Sequence, residues 1–306
     1  MDTAIKHLSE IAEKAKNLGK LFRIAVAVAE DANTIGALVR GVKDGFVFPI
    51  LIGNAGRIAE LILPEIKDVN AYQIVDIPDE VSATREAVRL VQSGEADVLM
   101  KGLVATDKFL KAVLDKEKGL LPPKAVMSYT CALELPKYHK LLFISDTAVL
   151  TYPDLDQKIA MVNYSVNIAR RLGIAKPKVA LVSATEKVTA AIPATFDFAL
   201  MCKMADRGQI KNCIMDGPLD VFLACDPSSL EIKGVSSPIN GDADILIFPN
   251  LESANSFYKG LMLFGGGELA GLICGTTKPV VVMSRSESEN SKYYCLSLAC
   301  IMAEDL

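Results

Sequence analysis

The sequence predicts an α/β fold in which parallel strands are covered by helices on both faces. Three observations predict it. A series of short strand-like runs is almost continuously apolar, where strands with one wet face would alternate. Amphipathic stretches of helical period separate many of these runs. The chain has 306 residues, 51% of them hydrophobic and 23% charged, which suits two ordinary globular domains or one large domain with an insertion.

The first strand, 22–29, reads Phe-Arg-Ile-Ala-Val-Ala-Val-Ala, and an amphipathic helix over 33–43 follows it. Strands at 48–53 and 73–77 come next, then a helix over 80–92. A strand at 97–101 leads to a helix over 108–114. The segment 119–136, with Pro122-Pro123, is the best crossover. The strand 140–145 precedes a helix over 155–172, headed by Asp154 and Asp156 and closed by Gly173 in the C′ position. Strand 178–183, helix 193–207 and strand 212–216 continue the rhythm. Residues 226–240, rich in Ser, Pro and Gly, read as a long surface loop. Strand 244–249 runs into a helix bearing Asn255, Tyr258 and Lys259, and strand 278–283 is the last. No period of repeat-protein length recurs. An alternation of this kind puts ligands at the carboxyl ends of the strands.

Charge and composition exclude several classes. The formal net charge is −4, and no basic run with interleaved aromatics suggests a nucleic-acid or membrane partner. The first twenty residues carry mixed charge and lack the apolar core of a signal peptide. No apolar run approaches the roughly 20 residues of a membrane span. The expected location is the cytoplasm. Seven cysteines at scattered spacing read as buried free thiols in a reducing compartment.

Residues that could carry chemistry are few. The chain has two histidines, His7 and His139, no tryptophan and no Cys-x-x-Cys. Near its end, Lys278-Pro-Val-Val-Val-Met283 delivers Ser284-Arg285 into a polar turn that opens a helix. A hydroxyl, a guanidinium and the free N–H groups of a helix start can converge there on one phosphate. Met100-Lys101-Gly102 with Thr106 is a second phosphate seat by type: a lysine at a strand end, a glycine for close backbone approach and a threonine near a helix start. It lacks Walker A spacing. Gly102 could equally make a tight turn and Thr106 cap the helix. Asn255 and Lys259 stand four apart on one helical face and could reach a substrate or be solvated, while Asn250 reads as the N-cap. Gly265-Gly266-Gly267 reads as a helix break, and Asp216-Gly217-Pro218 as turn chemistry. Asp146, at a strand end, could be a base, a metal ligand or a helix cap. His139 reads as structural or surface, since no serine-hydrolase elbow accompanies it.

Several stretches together resemble the phosphate acetyl/butyryl transferases, and within them the phosphate butyryltransferase branch. They include Ala96-Asp-Val-Leu-Met-Lys-Gly-Leu-Val-Ala-Thr106, Tyr138-His-Lys-Leu-Leu-Phe-Ile-Ser-Asp146, Pro177-Lys-Val-Ala-Leu-Val-Ser-Ala184 and Met204-Ala-Asp-Arg-Gly-Gln-Ile210. Asp216-Gly-Pro-Leu219, Gly241-Asp-Ala-Asp-Ile-Leu246, Asn255-Ser-Phe-Tyr-Lys259 and Ser284-Arg285 complete a collinear set covering nearly the whole chain. The resemblance implies a two-domain, mostly parallel α/β fold of the isocitrate dehydrogenase type with an interdomain cleft. Residues 1–127 and 277–306 would form the first domain and 128–276 the second.

The reaction it implies is acyl-CoA + phosphate ⇌ acyl phosphate + CoA, by direct attack in a ternary complex. Acyl-CoA and phosphate are the substrates, with no other cofactor and no metal, and a homodimer or higher homo-oligomer is expected. By the same resemblance, Arg285 holds phosphate or acyl phosphate and Ser284 bonds the reacting centre. Lys101, Gly102 and Thr106 bind from the opposite strand end, and Asn255 and Lys259 complete the wall. The acetyl-branch pattern has an aspartate seven residues after the serine and an arginine four after the Tyr-Lys lysine; this chain has Ser291 and Leu263 there. Glu289, then Glu287, is the nearest carboxylate for a base, with Asp146 further off, or no protein base is needed. Residues 219–226, after Asp216-Gly-Pro, are less typical of the branch and could alter the acyl or CoA pocket. Other readings are a phosphate acetyltransferase, a non-catalytic CoA- or phosphate-binding homologue, and a metal-dependent oxidoreductase on the same scaffold. The last would need an aspartate cluster and a nicotinamide site that the sequence does not display.

Overall fold

A computed structural model describes residues 4–284 and 287–304. Among them the chain runs α1 (Leu8–Asn17), β1 (Phe22–Ala27), α2 (Ala32–Lys43), β2 (Val47–Gly53), α3 (Ala55–Ile62), β3 (Gln73–Asp76), α4 (Glu80–Gln92) and β4 (Val98–Lys101). It continues α5 (Thr106–Val113), β5 (Ser128–Glu134), β6 (Leu142–Ser145), α6 (Leu155–Arg171), β7 (Lys178–Val182), α7 (Ala194–Asp206), β8 (Ile214–Leu219), α8 (Val221–Cys225) and α9 (Pro227–Lys233). Last come β9 (Ile245–Ile247), α10 (Leu251–Phe264), β10 (Glu268–Cys274), β11 (Val280–Val281) and α11 (Glu289–Met302).

The chain forms two compact units. Ser9–Met127 and Leu269–Leu306 make an end unit; Met1–Leu8 and Ser128–Glu268 make a middle unit. The end unit orders its strands β3-β2-β1-β4-β11-β10, and all pair in parallel except β10 with β11. The middle unit orders its strands β5-β6-β9-β7-β8, parallel except for β5 with β6. The alternating α/β fold of mostly parallel sheets therefore stands. Strands β1, β4, β6 and β9 are buried almost throughout, which is why their sequences are continuously apolar.

Helix starts follow elementary capping chemistry. Asp31, Asn54, Asp79, Asp154, Asn250 and Ser288 each accept a hydrogen bond from a backbone N–H of the first turn. At Asp154 the bond is reciprocated by Gln157, closing a capping box.

Four segments depart from the sequence reading. The proposed crossover over 119–136 contains β5, whose mix of Ser, Thr and Cys hides an almost wholly buried strand. The supposed loop 226–240 carries α9, which Asp226 caps, Pro227 opens and Gly234 closes with φ +64. Asp216-Gly217-Pro218 lies inside β8, not in a turn. The helix break at Gly265–Gly267 is real, and β10 follows it directly as a strand the sequence reading lacked. The cysteines are free thiols, with Cys131, Cys274, Cys295 and Cys300 buried and Cys202, Cys213 and Cys225 half-buried. Among the described residues no helix is long and apolar enough to cross a membrane.

Candidate active site

In the end unit the chain builds β1, β2 and β3 outward in one direction, then returns to add β4 on the other side of β1. That reversal opens a crevice at the carboxyl ends of β1 and β4. The backbone is unusual there. Val28, just past β1, has φ +57, a left-handed conformation that costs a β-branched residue about 1–2 kcal/mol. Its carbonyl accepts hydrogen bonds from the N–H groups of Glu30 and Leu103, both at 2.8 Å.

Lys101, Gly102 and Thr106 all belong to this edge. The Gly102 N–H donates to Ala27 O at 2.9 Å. A Cβ at Gly102 would strike the Val28 carbonyl, so neighbouring backbone already demands glycine here. Lys101 is buried, and its Nζ donates to Gly102 O at 3.2 Å and Val104 O at 3.0 Å. The ammonium thus holds together the loop that follows it. Thr106 is exposed and is the first residue of α5; Ala105, not Thr106, occupies the cap position. The Ala105 N–H donates to Glu80 Oε1, and Lys108 pairs with the other oxygen of that carboxylate at 2.6 Å.

Strand β11 runs parallel beside β4, with Val281 opposite Met100. Ser284 therefore leaves the same sheet edge as Lys101. Ser284 is exposed, and its carbonyl accepts the Glu287 N–H at 3.2 Å. Arg285 lies outside the described residues. Helix α11 then starts with Ser288 as cap and Glu289 in its first turn, where a carboxylate complements the helix dipole. The Glu289 side chain packs against Gly36 of α2, where a Cβ would run into its Oε2. Ser291 is 1% exposed, so the residue seven after Ser284 is packed into the protein.

Helix α2 grips the first turns of α11 along its length. Asn33 Nδ2 donates to Glu287 O at 3.4 Å, and Arg40 Nη1 donates to Asn290 Oδ1 at 3.1 Å. The Arg40 guanidinium also lies over the Tyr293 ring at 3.8 Å. Between them Lys292, 4% exposed, donates from Nζ to Asp31 Oδ1 at 2.9 Å and Thr34 Oγ1 at 3.1 Å. Burial alone would raise the Asp31 carboxyl, but hydrogen bonds from Thr34 and Lys292 outweigh it and hold the group below its usual range. Sequence reasoning passed over Lys292. The signal available was a lone lysine inside a helix that is otherwise mostly apolar.

In the middle unit Asp146 follows β6. It is 2% exposed and accepts hydrogen bonds from the N–H groups of Ala148 at 2.8 Å, Val149 at 2.9 Å and Tyr129 at 3.0 Å. Burial pushes the carboxyl upward, and those bonds only partly oppose the rise. The site is a loop organiser, nearest to the capping role among the three open to it. On α10, Asn250 caps the helix through Ser253 N–H. Asn255 is half-buried and donates from Nδ2 to Thr147 O at 2.8 Å; Lys259, one turn on, is exposed. His139 sits 3.0 Å from Asp242 at the surface. At the end of β7, Ser183 is 9% exposed, and its buried hydroxyl has no hydrogen-bond partner among the described residues.

Mostly parallel sheets flanked by helices define an α/β protein, and its architecture matches that of the phosphotransacylases. The crystal structure of a branched-chain phosphotransacylase from Enterococcus faecalis matches with a TM-score of 0.79 at 30% identity, covering 93% of this chain and 99% of that one. In sequence, the chain is 41% identical over 299 residues to the phosphate butyryltransferase of Clostridium acetobutylicum, across 98% of this chain and 99% of that protein. It is 39% identical over 299 residues to the phosphate acetyltransferase of Thermotoga maritima, across 97% of this chain and 99% of that protein. Residues 79–300 match the family described as Phosphate acetyl/butaryl transferase. The chain belongs to that family and is a phosphate acyltransferase.

Proposed function

We propose that this acyltransferase prefers a four-carbon or branched short acyl group, converting butyryl-CoA or a close analogue and phosphate to acyl phosphate and CoA. One observation carries the preference over acetyl. Where the acetyl-branch pattern has an aspartate the chain has the packed Ser291, and where it has an arginine the chain has Leu263, which is 75% exposed. The similarity to a phosphate butyryltransferase supports the same reading.

The chemistry proposed is direct. A phosphate oxygen attacks the thioester carbonyl, the C–O bond forms, the C–S bond breaks, and the thiolate leaves to take a proton. A thiol of pKa ~8.5 is a good enough leaving group that no strong acid is required. Acceleration then comes from orientation and from donors aimed at the developing oxyanion. In this reading Arg285 holds the phosphate and Ser284 donates to the reacting oxygen. Lys101 and Gly102 build the loop beside them, and Thr106 offers its exposed hydroxyl. Asn255 and Lys259 serve the acyl-CoA. Glu289 is the carboxylate best placed in sequence to relay the proton. Substrates supply all other groups, with no further cofactor, and the working form is a homodimer or larger homo-oligomer.

Initial rates with acetyl-, propionyl-, butyryl- and isobutyryl-CoA test this. The highest kcat/KM is expected for a four-carbon substrate, and a maximum for acetyl-CoA overturns the preference. Thiol release without phosphate would indicate a thioesterase instead. Arg285→Ala should cut kcat/KM for phosphate strongly; an unchanged value removes Arg285 from the site.

A further inference from the structure

We infer that Leu263 and Phe264, with the bare backbone of Gly260 beside them, form the seat for the acyl chain of the acyl-CoA. The inference deepens the four-carbon reading above and rests on it.

Helix α10 presents one stripe to solvent. Glu252, Ser256, Lys259 and Leu263, at i, i+4, i+7 and i+11, are all exposed. A solvated stripe is polar along its length. This one turns apolar in its last turn, where Leu263 is 75% and Phe264 86% exposed. Phe264 is the most exposed large apolar side chain among the described residues. Single apolar residues scattered on a surface need no explanation, whereas two adjacent large ones mark a contact surface.

The glycines around the pair divide by cause. Gly265 and Gly266 have reasons inside the chain: a Cβ at Gly265 would strike the Leu261 carbonyl, and Gly266 has φ +65. Gly260 has neither reason. It lies in the helix interior, where alanine is the more stable residue, and a Cβ there would meet nothing within 4 Å beyond its own stretch of helix. Gly260 stands four residues before Phe264, on the same face. Its missing side chain leaves bare backbone there, which lets a ligand approach the helix closely.

Size and charge decide the occupant. Two side chains offer at most about 500 Å² of apolar surface, against the roughly 800 Å² per partner of a stable protein interface. That is too little for a second copy of the chain and ample for a short alkyl chain. The exposed Lys259 stands one helical turn before Leu263, about 5–6 Å away on the same stripe. A short acyl thioester carries its polar carbonyl and its alkyl chain within that span. The ammonium complements the carbonyl oxygen, where negative charge develops, and the apolar pair complements the hydrocarbon. One methylene in an apolar pocket is worth roughly 10–200-fold in discrimination, so such a seat separates four-carbon from two-carbon substrates.

The experiment compares wild type with Leu263→Ala, Phe264→Ala and Gly260→Ala. For each, kcat/KM is measured for acetyl-CoA and butyryl-CoA, with KM for phosphate, Tm, and molecular mass by light scattering. Leu263→Ala and Phe264→Ala should each lower the butyryl-to-acetyl ratio on the order of tenfold, with KM for phosphate and Tm unchanged. Gly260→Ala should raise Tm while lowering kcat/KM for butyryl-CoA more than for acetyl-CoA. An unchanged ratio in all three variants overturns the inference, and a fall in molecular mass alongside it assigns the pair to contact between copies instead. A wild-type maximum for acetyl-CoA overturns the four-carbon reading and this inference with it. A four-carbon maximum that no variant moves overturns this inference alone.

Discussion

Asn255 donates from its side-chain amide to the backbone oxygen of Thr147 at 2.8 Å, so α10 restrains the loop that leaves β6. Asp146 restrains the same loop from within by accepting the Ala148 and Val149 N–H groups. Asn255 therefore has a structural task. Asn255→Ala should lower stability by about 1 kcal/mol, the usual net value of one hydrogen bond. Urea denaturation would detect this, and an unchanged midpoint would show that the bond contributes nothing.

Gly102 separates sequence motif from steric necessity. A methyl group there meets the Val28 carbonyl, which is itself fixed by the Glu30 and Leu103 N–H groups. Gly102→Ala should cost about 1–3 kcal/mol through overpacking. Activity measured per folded molecule should also drop, because the β1 and β4 loops must move apart. Full stability in denaturant would contradict the clash.

Acid sensitivity should localise in part to Asp31. Its folded carboxyl titrates below the ordinary range, so the pair with Lys292 stabilises fully above the unfolded value of ~3.9. As pH falls further, the unfolded chain binds the proton first and that contribution drains away through the lower folded value. The stability gap between wild type and Asp31→Asn should be widest near neutrality and shrink below pH ~4. A gap that is constant from pH 7 to pH 3 would rule out this linkage.

Ser183 offers the opposite kind of test. Its buried hydroxyl is unpaired among the described residues, and leaving such a group unsatisfied costs about 1–3 kcal/mol. Ser183→Ala is expected to hold or raise Tm, where most buried polar substitutions lower it. A clear loss of stability would reveal a partner for that oxygen.

What the sequence made legible was whatever chemistry repeats locally. Continuous apolar runs gave β1, β4, β6, β7 and β9, and side-chain caps at Asp154 and Asn250 marked helix starts correctly. Strand β5 stayed hidden because Ser128, Thr130 and Cys131 are small polar or thiol groups that pack as well as apolar ones once bonded; Thr130 pairs with Ser165 at 3.1 Å. The motifs at Lys101 and Ser284 were found separately, and adjacent parallel strands bring them to one edge. The inward turn of Lys101 and the tie from Lys292 to Asp31 were beyond reach. Both depend on which way a long side chain points, and in the second case on partners 261 residues apart in sequence.

The order of strands in the end unit has a temporal side. Strand β4 lies between β1 and β11, yet β11 is translated about 180 residues after β4. Throughout that interval the ribosome delivers β5 to β9, a contiguous stretch able to pair within the middle unit, while β4 keeps one edge bare. Synthesis thus leaves the first part of the end unit waiting for its own last segment. An open strand edge is a template for wrong partners, so slow translation through residues 128–268 would lengthen the window for aggregation, and the arrival of β11 and α11 closes it.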